Sequence, residues 1–328
     1  MPGHPPRRHR LAALPTPAIF AASVLVALAI LWRRGALGDV AHAARDADAA
    51  LLLAGGALYL ASLALLAFRW HLVVVMVGGL PSILRATEAF LTSVVVNYAA
   101  PIGLAVPTRA ALTKRALALT PAQTGAAALW EIGVDVLLLA IVSAAWIVLG
   151  LDDARDAAGQ IAAPAVYLAA IAAAVAAATL AVFLVWRLRP ALWGRLRFEA
   201  LAFIRIPRDQ PAAAVRVVVA SASYWALQLV VFALLLAATG IDPTPRLVLG
   251  LIGVPILVGM LSPVPGGAGV REALMVAIAG VAGADPAAVL LAALVYRVAL
   301  FAAIPILYAG VRLLLRRTQA QLRPTALD

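Results

Sequence analysis

Apolar residues along this chain gather in long runs and do not alternate with polar ones. Six runs stand out, at about 15–32, 50–68, 118–150, 161–187, 213–239 and 286–311. Each approaches or exceeds the ~20 residues that a helix needs to cross a bilayer. The strands of a membrane barrel would be short and would alternate, so that class is excluded. Pro121 opens the third run and Gly150 closes it, the usual punctuation of a helix. The pattern predicts an all-α polytopic integral membrane protein with about six full spans.

Two further apolar segments, about 72–107 and 247–283, break this rhythm. Arg69 on one side of the first and Arg109, Lys114 and Arg115 on the other all read as cytoplasmic, so that segment must enter and return. Asp242 and Asp285 flank the second and read as external. Each segment carries prolines and glycines near its turn, "NYAAPIGLAVP" at 97–107 and "SPVPGGAGV" at 262–270. We therefore expect two opposed broken or re-entrant helical hairpins with inverted-repeat character, the arrangement that frames a binding site in many transporters. No letter-by-letter repeat is visible, so the symmetry rests on the pattern alone. The expected organisation is a single membrane domain over 15–312 between basic tails at 1–14 and 313–328.

Composition agrees with a membrane class. Hydrophobic residues make up 65% of the 328 and charged residues only 12%, far from the balance of a soluble domain. The net charge of +11 sits in loops: Arg7, Arg8 and Arg10, then seven arginines between 187 and 216, then Arg312, Arg316, Arg317 and Arg323. That distribution is the positive-inside signature and predicts a multi-pass cell-membrane protein with both termini cytoplasmic. It also suits anionic lipid head groups as partners. No motif or aromatic interleaving points to nucleic acid. The acidic connection "LDDARDAAGQ" at 151–160 reads as external, and the basic 187–212 as lying along the inner interface. "RRHR" before the first run resembles a signal peptide, but the run's length and the Arg33–Arg34 that closes it favour a retained first span.

Candidate chemistry is sparse. The chain has no cysteine and only four scattered histidines, which argues against disulfides and a metal site. "GGAG" lacks the lysine and hydroxyl of a phosphate-binding P-loop, and neither HExxH nor GxSxG occurs. We expect no cofactor, no catalytic residue and no enzyme activity. What remains is charge inside the apolar runs: Glu131 and Asp135 four apart on one helix face, the adjacent Arg271 and Glu272, and Arg297. Five unpaired charges at mid-membrane would cost roughly 12–17 kcal/mol, so they must pair or face water. The expected network joins Glu131, Asp135 and Glu272 to Arg271 and Arg297, leaving one arginine partly free for an anionic ligand. Gly266, Gly267 and Gly269 permit close approach, and a helix restarting near Val270 would aim its free N–H groups into the break. The alternative is a tight turn between packed helices.

Several of these stretches, in this order and spacing, have a likeness elsewhere. "FRWHLVV" at 68–74, "NYAAP" at 97–101, Arg109, "WEIGVD" at 130–135, "SPVPGGAGVREA" at 262–273 and Arg297 together resemble the lysylphosphatidylglycerol synthetase transmembrane-region family. That family includes the flippase half of the multiple peptide resistance factor and many stand-alone membrane proteins. In its first motif Asn97, Pro101 and Arg109 match, while Ala105 and Val106 replace a Gly–Glu pair. In its second Glu131 and Asp135 match, while Ile132 replaces an arginine. The resemblance implies a non-enzymatic protein that translocates or presents an anionic lipid, either a phospholipid or a polyprenyl-phosphate-linked precursor. Arg271 and Arg297 would hold the phosphate with backbone N–H groups around Gly266, Gly267 and Gly269. Glu131, Asp135 and Glu272 would orient the arginines, with Asn97 and Pro101 supporting, and Arg109 would meet the head group. With sixteen residues beyond the membrane domain that ends at 312, the chain is not expected to act as a lysyl-lipid synthase by itself. Competing readings are an ion-coupled small-solute transporter and an accessory subunit of a membrane glycosyltransferase; a homo-oligomer is a further partner.

Overall fold

The computed structural model describes residues 45, 47–99, 117–150, 187, 194, 205–206, 208–261, 267 and 270–321. Seven helices organise them: α1 (Ala49–Met76), α2 (Ile83–Ala99), α3 (Pro121–Leu149), α4 (Pro211–Ala238), α5 (Pro245–Leu261), α6 (Val270–Val281) and α7 (Pro286–Gln321). No strand occurs among the described residues. Helices α1, α3, α4 and most of α7 are long and apolar enough to cross a membrane, and they answer to four of the six runs. The run at 15–32, the run at 161–187 up to residue 186, and the tail at 1–14 lie outside the described residues.

Local chemistry sets the helix ends. The Asp48 carboxylate accepts from the N–H groups of Ala50 (2.8 Å) and Leu51 (3.1 Å), satisfying two orphan donors of α1. Thr120 and Gln123 form a reciprocal capping box at α3, with Pro121 preset for the first turn. Just past α1 and α4 the chain turns through glycines with positive φ, Gly78 at 84° and Gly240 at 82°.

These two turns belong to a larger correspondence. Helix α1 and helix α4 each have 28 residues, and α2 and α5 each have 17. One constant offset carries every bound of the first pair onto the second: 49 to 211, 76 to 238, 83 to 245 and 99 to 261. The long pair lies antiparallel, since the Asp48 N–H at the start of α1 donates to the Ala238 carbonyl at the end of α4. Between those ends the seam advances by sevens on α1 and retreats by sevens on α4. Gly55 faces Leu235, Ser62 bonds Gln228 and Arg69 bonds Ser221. A seven-residue step is ~10.5 Å of helix, so each facing pair forms one layer of a coiled-coil-like seam.

Helix α5 packs antiparallel on α3 through small residues. A Cβ on Gly250 would lie 2.6 Å from the Trp146 indole nitrogen, and one on Gly253 would lie 2.9 Å from the Ser143 backbone nitrogen. Without glycine at these positions the two backbones could not come this close. Helix α6 packs between α5 and α7, and α2 packs against α1 and α7. Outward faces keep large apolar side chains, such as Leu53, Leu137 and Ile306, as a lipid-facing surface requires.

The first of the two expected segments starts differently. Residues 72–76 belong to α1, which runs straight through Arg69, so no separate segment begins at 72. Residues 100–116, which include Pro101 and Arg109, lie outside the described residues. The second segment contains two short helices, α5 of 17 residues and α6 of 12. Twelve residues reach only ~18 Å, well short of a ~30 Å hydrocarbon core.

Candidate functional site

Among the described residues, buried charge gathers around Arg69 and where α6 meets α7. The first centres on Arg69 of α1, which the loop pattern assigns to the cytoplasmic surface but which is only 1% exposed. Its Nη2 donates to Glu131 Oε1 at 3.0 Å. Its Nη1 donates to Asp135 Oδ1 and reaches Ser221 Oγ at 3.3 Å. The Trp225 indole N–H donates to the same Asp135 oxygen at 2.9 Å, and the Tyr224 ring lies 5.9 Å from the guanidinium carbon. Glu131 and Asp135 are four apart on α3, so one guanidinium fork spans both. One arginine thus joins α1, α3 and α4. Arg69 is an ion-pair partner of both carboxylates, one that the expected network did not include.

One seven-residue step along the α1–α4 seam lies an uncharged relay. Tyr296 of α7 donates to Gln228 at 2.8 Å, Gln228 to Ser62 at 2.9 Å, and Ser62 to the Tyr59 carbonyl at 2.7 Å. Tyr59 and Tyr296 meet edge to face with centroids 4.8 Å apart. This layer ties α7 to the seam as Arg69 ties α3.

The second charged set lies where α6 meets α7. Arg297 Nε pairs with Glu272 Oε1 at 2.6 Å, and both side chains are largely buried. Arg271 occupies the first turn of α6 and is 8% exposed. Its stem is seated between Gly259 of α5 and Gly267: a Cβ built on either would lie 2.8 Å and 3.1 Å, respectively, from Arg271 Cδ. Gly267 has φ +64, and its own Cβ would lie 2.8 Å from the Gly259 Cα. Glycine is therefore required there by a left-handed backbone and by contact with α5, whatever else binds nearby.

Of the expected site residues, Glu272 pairs with Arg297, Arg271 packs against Gly267, and Glu131 and Asp135 both bond Arg69. Arg109, Pro101, Gly266 and Gly269 lie outside the described residues, and Asn97 is described only as backbone in α2. Arg69, Ser62, Ser221, Trp225, Gln228 and Tyr296 are absent from the sequence reading of the site. The signal that could have found them is the seven-residue spacing of Ser62 with Arg69 and of Ser221 with Gln228 inside apolar runs. Among the described residues no group of three or more His, Cys, Asp or Glu could hold a metal ion.

Four long apolar helices with ion pairs buried among them define a multi-pass α-helical membrane protein. Residues 19–308 match the lysylphosphatidylglycerol synthase transmembrane region, so the chain belongs to that family and is a membrane protein linked to lipid handling. Comparison with curated proteins gives no match.

Proposed function

We propose that this protein translocates or presents an anionic lipid, a phospholipid or a polyprenyl-phosphate-linked precursor, without enzymatic activity of its own. The observation that carries the reading is Arg271, a buried cation in the first turn of α6. The N-terminus of a helix bears a partial positive charge, and beside a guanidinium it favours an anionic ligand. Arg297 brings a second guanidinium to α6, where it pairs with Glu272. A phosphate satisfies this end as an N-terminal anion and as a guanidinium acceptor. The short α5 and α6 fit a re-entrant hairpin, and the constant offset with antiparallel α1 and α4 fits an inverted repeat. The arginine-rich end of the bundle would then face the cytoplasm. A membrane glycosyltransferase or a second copy of the chain would be a partner for presentation.

Native mass spectrometry of protein taken gently from the membrane tests this. Wild type should retain anionic lipid. Arg271→Gln should lose most of it while melting normally, and Arg271→Lys should recover part. Equal retention by all three, with the fold intact, would remove the reading.

A further inference from the structure

The offset that superposes α1 on α4 in the numbering relates more than single helices. It carries α2 onto α5 and residues 124–149 of α3 onto 286–311 of α7. The α2–α7 seam is therefore the counterpart of the α3–α5 seam, and the two are built differently. At α3–α5, Gly250 and Gly253 admit Trp146 and the Ser143 backbone at close range. The corresponding α2 positions are Glu88 and Leu91, whose side chains bar such an approach. Helices α2 and α7 pack with an ion pair at their seam, Glu88 Oε1 to Arg312 Nη1 at 2.7 Å, with side chains 19% and 39% exposed. One seam is closed up by glycines, and the other carries an ion pair that water reaches.

The location of that pair matters. Helix α7 has 36 residues, ~54 Å against a ~30 Å hydrocarbon core, so its last turns leave the membrane. There the exposed Leu313 and Leu314 stand beside the exposed Arg316 and Arg317. Leucines in the acyl boundary with arginines at head-group level make an interfacial surface. Arg85 at the start of α2 and Arg216 on the first turns of α4 are exposed at the same end. Such a surface attracts anionic lipid. A half-exposed ion pair is weak enough to exchange partners, and a phosphate competes well for a guanidinium.

We propose that Glu88–Arg312 is a latch between α2 and α7, released when the phosphate of an anionic phospholipid replaces Glu88 on Arg312. Arg316, one turn further on the same face, is the second contact for that phosphate. The latch stands whether or not the α5–α6–α7 site carries lipid.

Because the chain has no cysteine, spin labels on Ile83→Cys and Thr318→Cys report the α2–α7 distance directly. In phosphatidylcholine nanodiscs a single short distance is expected, and phosphatidylglycerol should add a longer population. Glu88→Gln should show that longer population in phosphatidylcholine alone. The reversed pair, Glu88→Arg with Arg312→Glu, should restore the short distance and so demonstrate an intact fold. A distribution indifferent to phosphatidylglycerol, or a Glu88→Gln trace like wild type, overturns the proposal. So does an equal shift from inorganic phosphate in pure phosphatidylcholine, which would make the trigger a soluble anion. Arg271→Gln acts at the other site, so its failure to lose lipid would count against the proposed function and leave the latch result standing.

Discussion

Arg69 shows how far a single residue can be read from a sequence. Glu131 and Asp135 announce themselves by their spacing within an apolar run, and a cation to meet them is a physical necessity. Arg69, however, follows one apolar run and precedes another, so the positive-inside rule places it at a boundary. The structure instead continues α1 through it to Met76, because two carboxylates, an indole and a hydroxyl stand ready across the seam. Removing one partner of a buried pair typically costs about 3–5 kcal/mol, whereas an exposed pair contributes about 0–1. Arg69→Met should therefore lower the melting temperature in detergent far more than Arg312→Gln. Equal losses would mean that Arg69 is solvated in the native protein. Gly267 offers a second residue-scale lesson. The Pro–Gly interruption is legible as a break, but the reason for the glycine is not, because its contact, Gly259, lies across a turn. Gly267→Ala should destabilise by about 1–3 kcal/mol from φ strain and contact with α5. Gly280, with nothing within 4 Å of its Cβ position, should accept alanine without loss. A harmless Gly267→Ala would refute the packing role.

Between elements, what the sequence conceals is contact. The apolar runs give the existence of α1, α3, α4 and α7 because a membrane demands length and hydropathy, and both are visible in one dimension. The seams are set by small residues whose importance depends on what faces them. Gly253 and Gly56 look alike in sequence, each in an apolar helix. A Cβ at Gly253 would press on the Ser143 backbone at 2.9 Å, while Gly56 has nothing within 4 Å. Gly253→Ala should therefore loosen α5 from α3 and lower thermal stability, while Gly56→Ala should be neutral or gain up to about 1 kcal/mol. Side-by-side melting curves decide it. Matching behaviour of the two variants would show that α3 and α5 do not meet as described.

At the scale of the whole molecule, the correspondence between the two halves escaped the letters because most equivalent positions carry different chemistry. Arg69 answers to Val231, Glu131 to Ala293 and Asp135 to Arg297. Gly78 and Gly240 agree at matching turns with positive φ, and the letters also agree at Pro81 with Pro243, Pro101 with Pro263 and Arg109 with Arg271. Two halves that keep their turns but exchange their charges can share an architecture while only one binds. Antiparallel packing of α1 on α4 then has a consequence for sidedness. Equivalent turns must leave the bundle at opposite ends, one near Leu80 after α1 and the other near Asp242 after α4. In this cysteine-free chain, Leu80→Cys and Asp242→Cys should each be labelled by a membrane-impermeant maleimide from one side only, and from opposite sides. With the arginines at the α4 start and α7 end facing the cytoplasm as proposed, intact cells should label Asp242→Cys, and inverted vesicles Leu80→Cys. Labelling of both from the same side would break the antiparallel relation of α1 and α4, and the inverted repeat with it.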